Sequence, residues 1–146
     1  MEINYKASNF RNECIVDDEF AKELDKMNTI AIKHNMLIII TSSLRHSTDV
    51  KGAIVTPSKV SNHLIGFAID CNLQSTVTNE YFNSVKMGDK KGIDLLFIED
   101  IEKNTKLRWG GRFKTVDYVH FDIPLNITNP KLWLEKFNSI KKQKPL

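Results

Sequence analysis

The N-terminal part of the chain changes from a helical to a strand pattern of apolar positions. From residue 20 on, apolar residues recur at helical spacing and so share one helix face: Phe20, Leu24, Met27 and Ala31. Asp17 and Asp18 provide an N-cap and an acidic first turn, and Asn35 provides a C-cap. The β-branched run 37–41 follows at once and predicts a buried strand. A helix that leads directly into a strand is typical of an α/β or α+β domain.

Two further segments have the period of a strand, and polar loops separate them. Residues 66–72 and 118–123 alternate between apolar and polar positions, which predicts strands. Residues 42–62 are polar and predict a loop with a short strand at 53–56, and residues 73–92 predict a second loop. In the segment 118–123, the polar residues occupy one face of the strand and the apolar residues the other.

Two more helices complete the predicted pattern. The apolar spacing within 93–102 predicts one helix, and Asn129 as N-cap with Pro130 in the first turn predicts the start of the last one. Short connections between strands favour antiparallel pairing. We therefore predict an α+β fold, with helices packed on one face of a small, mainly antiparallel sheet.

The composition is that of one folded domain covering residues 1–146. Apolar residues make up 41% of the 146-residue chain and charged residues 27%, which excludes a disordered or fibrous protein. No apolar run is long enough to span a membrane, and the first residues lack the layout of a signal peptide, so we expect synthesis in the cytoplasm. The net charge of +3 gives no reason to expect a nucleic-acid partner. We expect a monomer in which Cys14 and Cys71 are free, buried thiols.

Two of the four histidines lie beside carboxylates in the predicted strand regions. Asp70 shares a strand face with the small Ala68, and His63 lies just before Gly66, where the chain can turn back. If the two strands are neighbours, His63, Asp70 and His120 converge. Two imidazoles and one carboxylate are a three-ligand zinc set with a position left for water, as in hydrolytic centres. A single histidine on a strand is nevertheless more often a packed residue than a ligand.

Hydrolysis also needs a general base, and Asp117 is the candidate. In a flat strand, Asp117 and His120 would point to opposite faces, so Asp117 reaches the site only from a turn or bulge before the strand. Taken alone, Asp117 and Asp122 would be solvated carboxylates at a strand edge. His46, in the first loop, is a second residue that could approach the site.

Three motifs resemble the zinc D-alanyl-D-alanine carboxypeptidase family. The first matches the pattern S-x-H-x-x-G-x-A-x-D: Ser61, His63, Gly66, Ala68 and Asp70. The second matches W-G-G followed by D/E-x-x-H-F: Trp109, Gly110, Gly111, Asp117, His120 and Phe121. Upstream, IIITSSLR resembles the strand that ends in T-S-G-Y-R in that family, with Ser43-Leu44 in place of Gly-Tyr. The family includes VanY-type and VanX-type enzymes and the L-alanyl-D-glutamate endopeptidases of phage endolysins.

The resemblance implies a role for each matching residue. His63, Asp70 and His120 would bind zinc, and Asp117 would activate the zinc-bound water. Arg45 and Ser61 would contact the substrate carboxylate or the developing oxyanion. The substrate would be a peptidoglycan peptide, reached after release or export of the protein, and the fold would be the one shared with the hedgehog signalling domain.

Two functions follow as hypotheses. The leading one is a zinc metallopeptidase that hydrolyses peptidoglycan stem peptides, as a D-Ala-D-Ala carboxypeptidase or an L-Ala-D-Glu endopeptidase. The alternative is a hedgehog-like, zinc-containing binding module without significant catalysis. Asp117 separates them, because a site that only binds has no need of a base.

Overall fold

The computed structural model describes residues 1–45, 60–88 and 91–143. The helices of these ranges are α1 Asp18–His34, α2 Ile93–Asn104, α3 Leu125–Thr128 and α4 Pro130–Gln143. The strands are β1 Glu2–Asn4, β2 Phe10–Arg11, β3 Ile15–Asp17, β4 Met36–Ser42, β5 Ala68–Ser75, β6 Tyr81–Phe82, β7 Arg108–Trp109 and β8 His120–Asp122.

The larger sheet has the order β2-β4-β5-β8-β7, and β6 pairs with β5 outside this path. Strand β2 runs parallel to β4, and the other pairs of this sheet are antiparallel. A separate antiparallel pair joins β1 to β3. The predicted α+β class with a mainly antiparallel sheet is confirmed.

Helix α1 begins and ends where its sequence predicts. The Asp17 carboxylate accepts a hydrogen bond from the Glu19 N–H at 2.9 Å, which satisfies one of the free donors of the first turn. Asn35 adopts the left-handed conformation at φ 53°, and its N–H donates to the carbonyl oxygens of Ala31 and Ile32. The chain can then turn immediately into β4.

The two faces of the large sheet differ in character. On one face, apolar side chains of β4, β5 and β8 join the core beneath α1: Met36, Ile38, Ile40, Ile69, Cys71, Leu73 and Phe121. The other face carries Asp70 and Asn72 on β5 and His120 and Asp122 on β8. Alternation along the strands thus separates the hydrophobic core from the polar groups. Both cysteines, Cys14 and Cys71, are buried free thiols, as predicted.

Some predicted boundaries are wrong. Strand β5 continues through Ser75, because its last residues pair with Met36–Ile38 of β4, so the predicted loop 73–92 begins three residues too early and also contains β6. Strand β8 starts only at His120, because residues 118–119 form a turn.

The helices predicted near the C-terminus are confirmed. Helix α2 covers the predicted 93–102 and extends to Asn104. Helix α4 starts at Pro130, and the Asn129 side chain accepts a hydrogen bond from the Leu132 N–H at 3.2 Å.

The strand predicted at 53–56 and His46 lie outside the described residues. Among the helices that the structure describes, none is both long and apolar enough to cross a membrane.

Candidate metal centre

His63 lies in a short 3-10 turn between β4 and β5, and hydrogen bonds hold this turn at both ends. The Ser61 hydroxyl caps the turn by accepting a hydrogen bond from the His63 N–H at 3.2 Å. Gly66 ends it in the left-handed conformation at φ 75°, and a Cβ there would meet the Asp17 nitrogen at 2.6 Å. The His63 side chain is buried as a result.

Strand pairing brings the other two predicted ligands together. Asp70 of β5 lies opposite His120 of β8 in the antiparallel register, and both side chains are on the polar face. One ligand atom each of His63, Asp70 and His120 can be chosen so that all three lie within 4.8 Å of one another. The predicted convergence of these three residues is therefore observed, and they form a group that could hold a metal ion.

The hydrogen bonds of the two imidazoles indicate which ring nitrogens face the centre. Nδ1 of His63 lies 2.8 Å from the Ser43 carbonyl oxygen, and Nε2 of His120 lies 2.8 Å from an Asp122 carboxylate oxygen. Both oxygens only accept hydrogen bonds, so these two nitrogens carry protons. The opposite nitrogens, Nε2 of His63 and Nδ1 of His120, lie 3.2 and 3.3 Å from the same Asp70 oxygen, Oδ1.

This arrangement fits a cation. In the neutral tautomers just assigned, both histidines direct a lone pair at Asp70 Oδ1, and three electron-rich atoms then face one another. A metal ion, or additional protons on the rings, must balance them. Two imidazole nitrogens and one carboxylate oxygen are a donor set that zinc accepts.

The carboxylate at the centre also has an outer partner. Asp70 Oδ2 accepts a hydrogen bond from the Arg45 Nη2 at 2.6 Å, while the Arg45 Nε donates to the Ser42 hydroxyl at 2.8 Å. Arg45 is itself anchored next to the His63 turn, because its backbone N–H donates to the His63 carbonyl oxygen at 2.9 Å. The guanidinium therefore fixes the orientation of Asp70.

The charges of the cluster shift the pKa values of its members. Burial alone would raise the pKa of Asp70, but hydrogen bonds from His120 and His63 outweigh burial and hold it well below the usual range. Burial opposes the charged form of His120, yet the carboxylates of Asp122 and Asp70 raise its pKa to about 9. The two neighbouring carboxylates thus favour the protonated form of His120.

Asp117 lies in the turn before β8, within the electrostatic influence of the cluster. Its N–H donates to the Gly110 carbonyl oxygen at 2.9 Å, and its carbonyl oxygen accepts from the His120 N–H at 3.2 Å. The turn requires glycine at 110, since a Cβ there would collide with the Asp117 carbonyl oxygen. Asp117 therefore lies outside the strand, where a side chain preceding His120 by three residues can share the site.

The Asp117 carboxyl group is partly buried and is influenced by the charges of the cluster. Burial raises its pKa and the negative charge of Asp70 raises it further, while His120, His63 and Arg45 partly offset these effects. A carboxylate with a raised pKa accepts protons more readily than an ordinary aspartate.

Comparison with known proteins agrees with this geometry. Residues 55–123 match the D-alanyl-D-alanine carboxypeptidase family. The resemblance found in the motifs is confirmed over that range, which supports a peptidase and includes Ser61, the three candidate metal ligands and Asp117. Arg45 lies outside it. The comparison with curated proteins gives no match.

Within this carboxypeptidase-like segment, the sequence prediction for Asp122 is wrong. Its side chain is buried rather than solvated, because antiparallel pairing brings Arg108 of β7 opposite it. Arg108 donates to both Asp122 oxygens, each at 2.9 Å. The spacing His120-x-Asp122 was a signal that Asp122 lies on the polar face beside His120, because residues two apart on a strand share a face.

Proposed function

We propose that the protein is a zinc metallopeptidase that hydrolyses peptide bonds in the stem peptides of peptidoglycan. The observation that carries the proposal is the buried cluster of His63, Asp70 and His120, with the partly buried Asp117 carboxyl group within its electrostatic influence. The match of residues 55–123 to the carboxypeptidase family supports the same substrate class. The proposal includes two alternative reactions, that of a D-Ala-D-Ala carboxypeptidase and that of an L-Ala-D-Glu endopeptidase.

The residues of the cluster would divide the chemistry among them. His63, Asp70 and His120 would hold zinc, which supplies a Lewis acid and lowers the pKa of a bound water. Asp117 accepts a proton from the attacking water as the water oxygen bonds to the peptide carbonyl carbon. It then returns the proton to the leaving amine as the C–N bond breaks.

Arg45 and Ser61 are the proposed contacts for the substrate. Arg45 already holds Asp70 with Nη2 and Ser42 with Nε, and a guanidinium has five N–H donors, so it can also bind a peptide carboxylate beside the centre. The Ser61 hydroxyl accepts from the His63 N–H and retains a proton to donate. We propose that the protein acts as a monomer on the cell wall after release or export.

The test is mass spectrometry of purified muropeptides after incubation with the zinc-loaded protein. Loss of a terminal D-alanine would identify a carboxypeptidase, and separation of L-alanine from D-glutamate an endopeptidase. Chelator-treated protein is the control and should leave the muropeptides intact. Unchanged muropeptides with the zinc-loaded protein would contradict the proposal, and retention of zinc in that protein would favour the binding module instead.

A further inference from the structure

The pair Asp122–Arg108 contacts the candidate centre from the side opposite Asp70. The Asp122 Oδ2 lies 2.8 Å from Nε2 of His120, and the same carboxylate receives two hydrogen bonds from Arg108. Asn62 adds a third donor through its side-chain nitrogen, 3.2 Å from Asp122 Oδ2. Arg108 and Asn62 thus hold one buried carboxylate against one imidazole with three hydrogen bonds.

Further contacts support this set of residues. Asn62 is buried beside His63 and also donates to the Asn126 side chain at 2.9 Å. The Arg108 guanidinium lies over the Phe113 ring at 4.4 Å, and that ring lies 5.6 Å from the His120 ring between centroids. In this arrangement, Nε2 of His120 donates outward to Asp122 and Nδ1 faces Asp70.

We propose that Asp122, held by Arg108, is a positioning residue that selects Nδ1 of His120 as the metal-binding atom. This inference rests on the proposed zinc site and extends it to residues that do not touch the metal. A carboxylate that accepts the outer N–H of a metal-binding histidine fixes its tautomer and raises the basicity of the inner nitrogen. Asp122 is buried and Arg108 is partly buried, so a purely structural role is the competing interpretation.

The first test measures zinc affinity by competition with a chelating dye in the parent and in Asp122→Asn. The amide keeps the size of the side chain but loses the negative charge, and we expect zinc affinity to fall about 10- to 100-fold. Glu23→Gln is the matched control, since Glu23 is also a buried carboxylate but pairs with Lys26 and the Lys106 N–H. Its zinc affinity should equal that of the parent, and an equal loss in both variants would overturn the inference.

The second test reads the His120 tautomer of the zinc-loaded protein by long-range ¹H–¹⁵N NMR. The parent should show a proton on Nε2 and the metal on Nδ1, and Asp122→Asn should show a mixture. If Asp122→Asn fails to fold, Arg108→Lys replaces it, because the Arg108 side chain is 35% exposed and tolerates change. Lysine cannot make both contacts, so a smaller loss of affinity is expected.

The outcomes separate this inference from the proposed function. Parent affinity and the parent tautomer in Asp122→Asn, or in Arg108→Lys where the first variant does not fold, would overturn the inference and leave the zinc site intact. A parent protein that binds no zinc would overturn both.

Discussion

At the residue scale, two properties of Asp117 support the proposed role of general base. It lies within the electrostatic influence of the His63–Asp70–His120 cluster without being one of the three grouped ligands, and burial together with the charge of Asp70 raises its pKa. Its place in the turn before β8 frees it from the alternation of the strand, so a residue three positions before His120 can share the same site. Its role as general base stays a prediction.

The substitution Asp117→Asn keeps the size of the side chain and removes its basicity. We expect zinc content and thermal stability close to those of the parent, with muropeptide hydrolysis reduced by at least about 100-fold, since a positioned base contributes about 100- to 10,000-fold. Elemental analysis and product formation measured on one preparation check this. Loss of zinc together with activity would instead make Asp117 a metal ligand or a structural carboxylate.

Arg45 is expected to act on the substrate through a geometry that only a guanidinium has. Arg45→Lys keeps the charge but cannot contact Ser42, Asp70 and a substrate carboxylate together. Hydrolysis should fall about tenfold or more, because a hydrogen bond to a charged group contributes about 1.5–3 kcal/mol. Zinc should remain bound, because the three ligands are retained. Parent-like rates on muropeptides would show that Arg45 has no part in substrate binding.

At the element scale, the turn between β7 and β8 places the proposed base. The Asp117 N–H and the Gly110 carbonyl oxygen close this turn, and the Trp109 indole donates to the Tyr118 carbonyl oxygen at 2.7 Å. Backbone contact at Gly110 leaves no space for a side chain. The position of Asp117 thus depends on the absence of a Cβ at residue 110.

Gly110→Ala should displace this turn. Its Cβ would collide with the Asp117 carbonyl oxygen and lie 3.0 Å from the His120 Cβ, so both the melting temperature and the rate of hydrolysis should fall. Gly92→Ala serves as control, because its Cβ meets only the Asp94 side-chain oxygen at 3.0 Å among the described residues. Equal melting temperatures and rates for Gly110→Ala and the parent would contradict the role assigned to this turn.

The sequence predicted those parts of the fold that local patterns determine. The caps at Asp17 and Asn35 determine the ends of α1, and the alternation around Asp70 and around His120 assigned each side chain to the polar face of its own strand. Motif spacing identified the candidate ligands before any pairing was known. These features depend on residues close together in the chain.

Features that depend on distant pairing could not be predicted in this way. The extension of β5 to Ser75 requires pairing with β4, and the burial of Asp122 requires Arg108 to lie opposite it on β7. The contact between the Ser43 carbonyl oxygen and His63 joins segments 20 residues apart and involves a backbone atom that no side-chain pattern reveals. Register between strands, which one sequence does not display, determines the first two. The third depends on the packing of two segments that lie outside the strands.

At the scale of the whole molecule, the metal-free protein should lose stability as the pH rises. His120 has a pKa of about 9 in the folded protein, above its ordinary value of 6.5, so folding favours its protonated form. Its stabilising contribution is fully present below about pH 6.5 and disappears as the pH rises through about 9. Thermal melting in the presence of a chelator should therefore show a lower melting temperature near pH 9 than near pH 6.5.

His120→Gln isolates this contribution from that of other titrating groups. The variant retains Cys14 and Cys71, whose pKa values burial also raises, but lacks the imidazole. The difference in melting temperature between parent and variant should therefore shrink across this pH interval. A difference that stays constant would contradict the charge assigned to His120 in the metal-free protein.

The central claim is that His63, Asp70 and His120 form a zinc site, and the zinc content of purified protein tests it most directly. Elemental analysis should give about one zinc per chain for the parent, because three ligand atoms converge within 4.8 Å. His63→Ala and His120→Ala should each lose most of this zinc, since two ligands hold the ion far more weakly than three. Full zinc content in both variants, or a parent without zinc, would contradict the account.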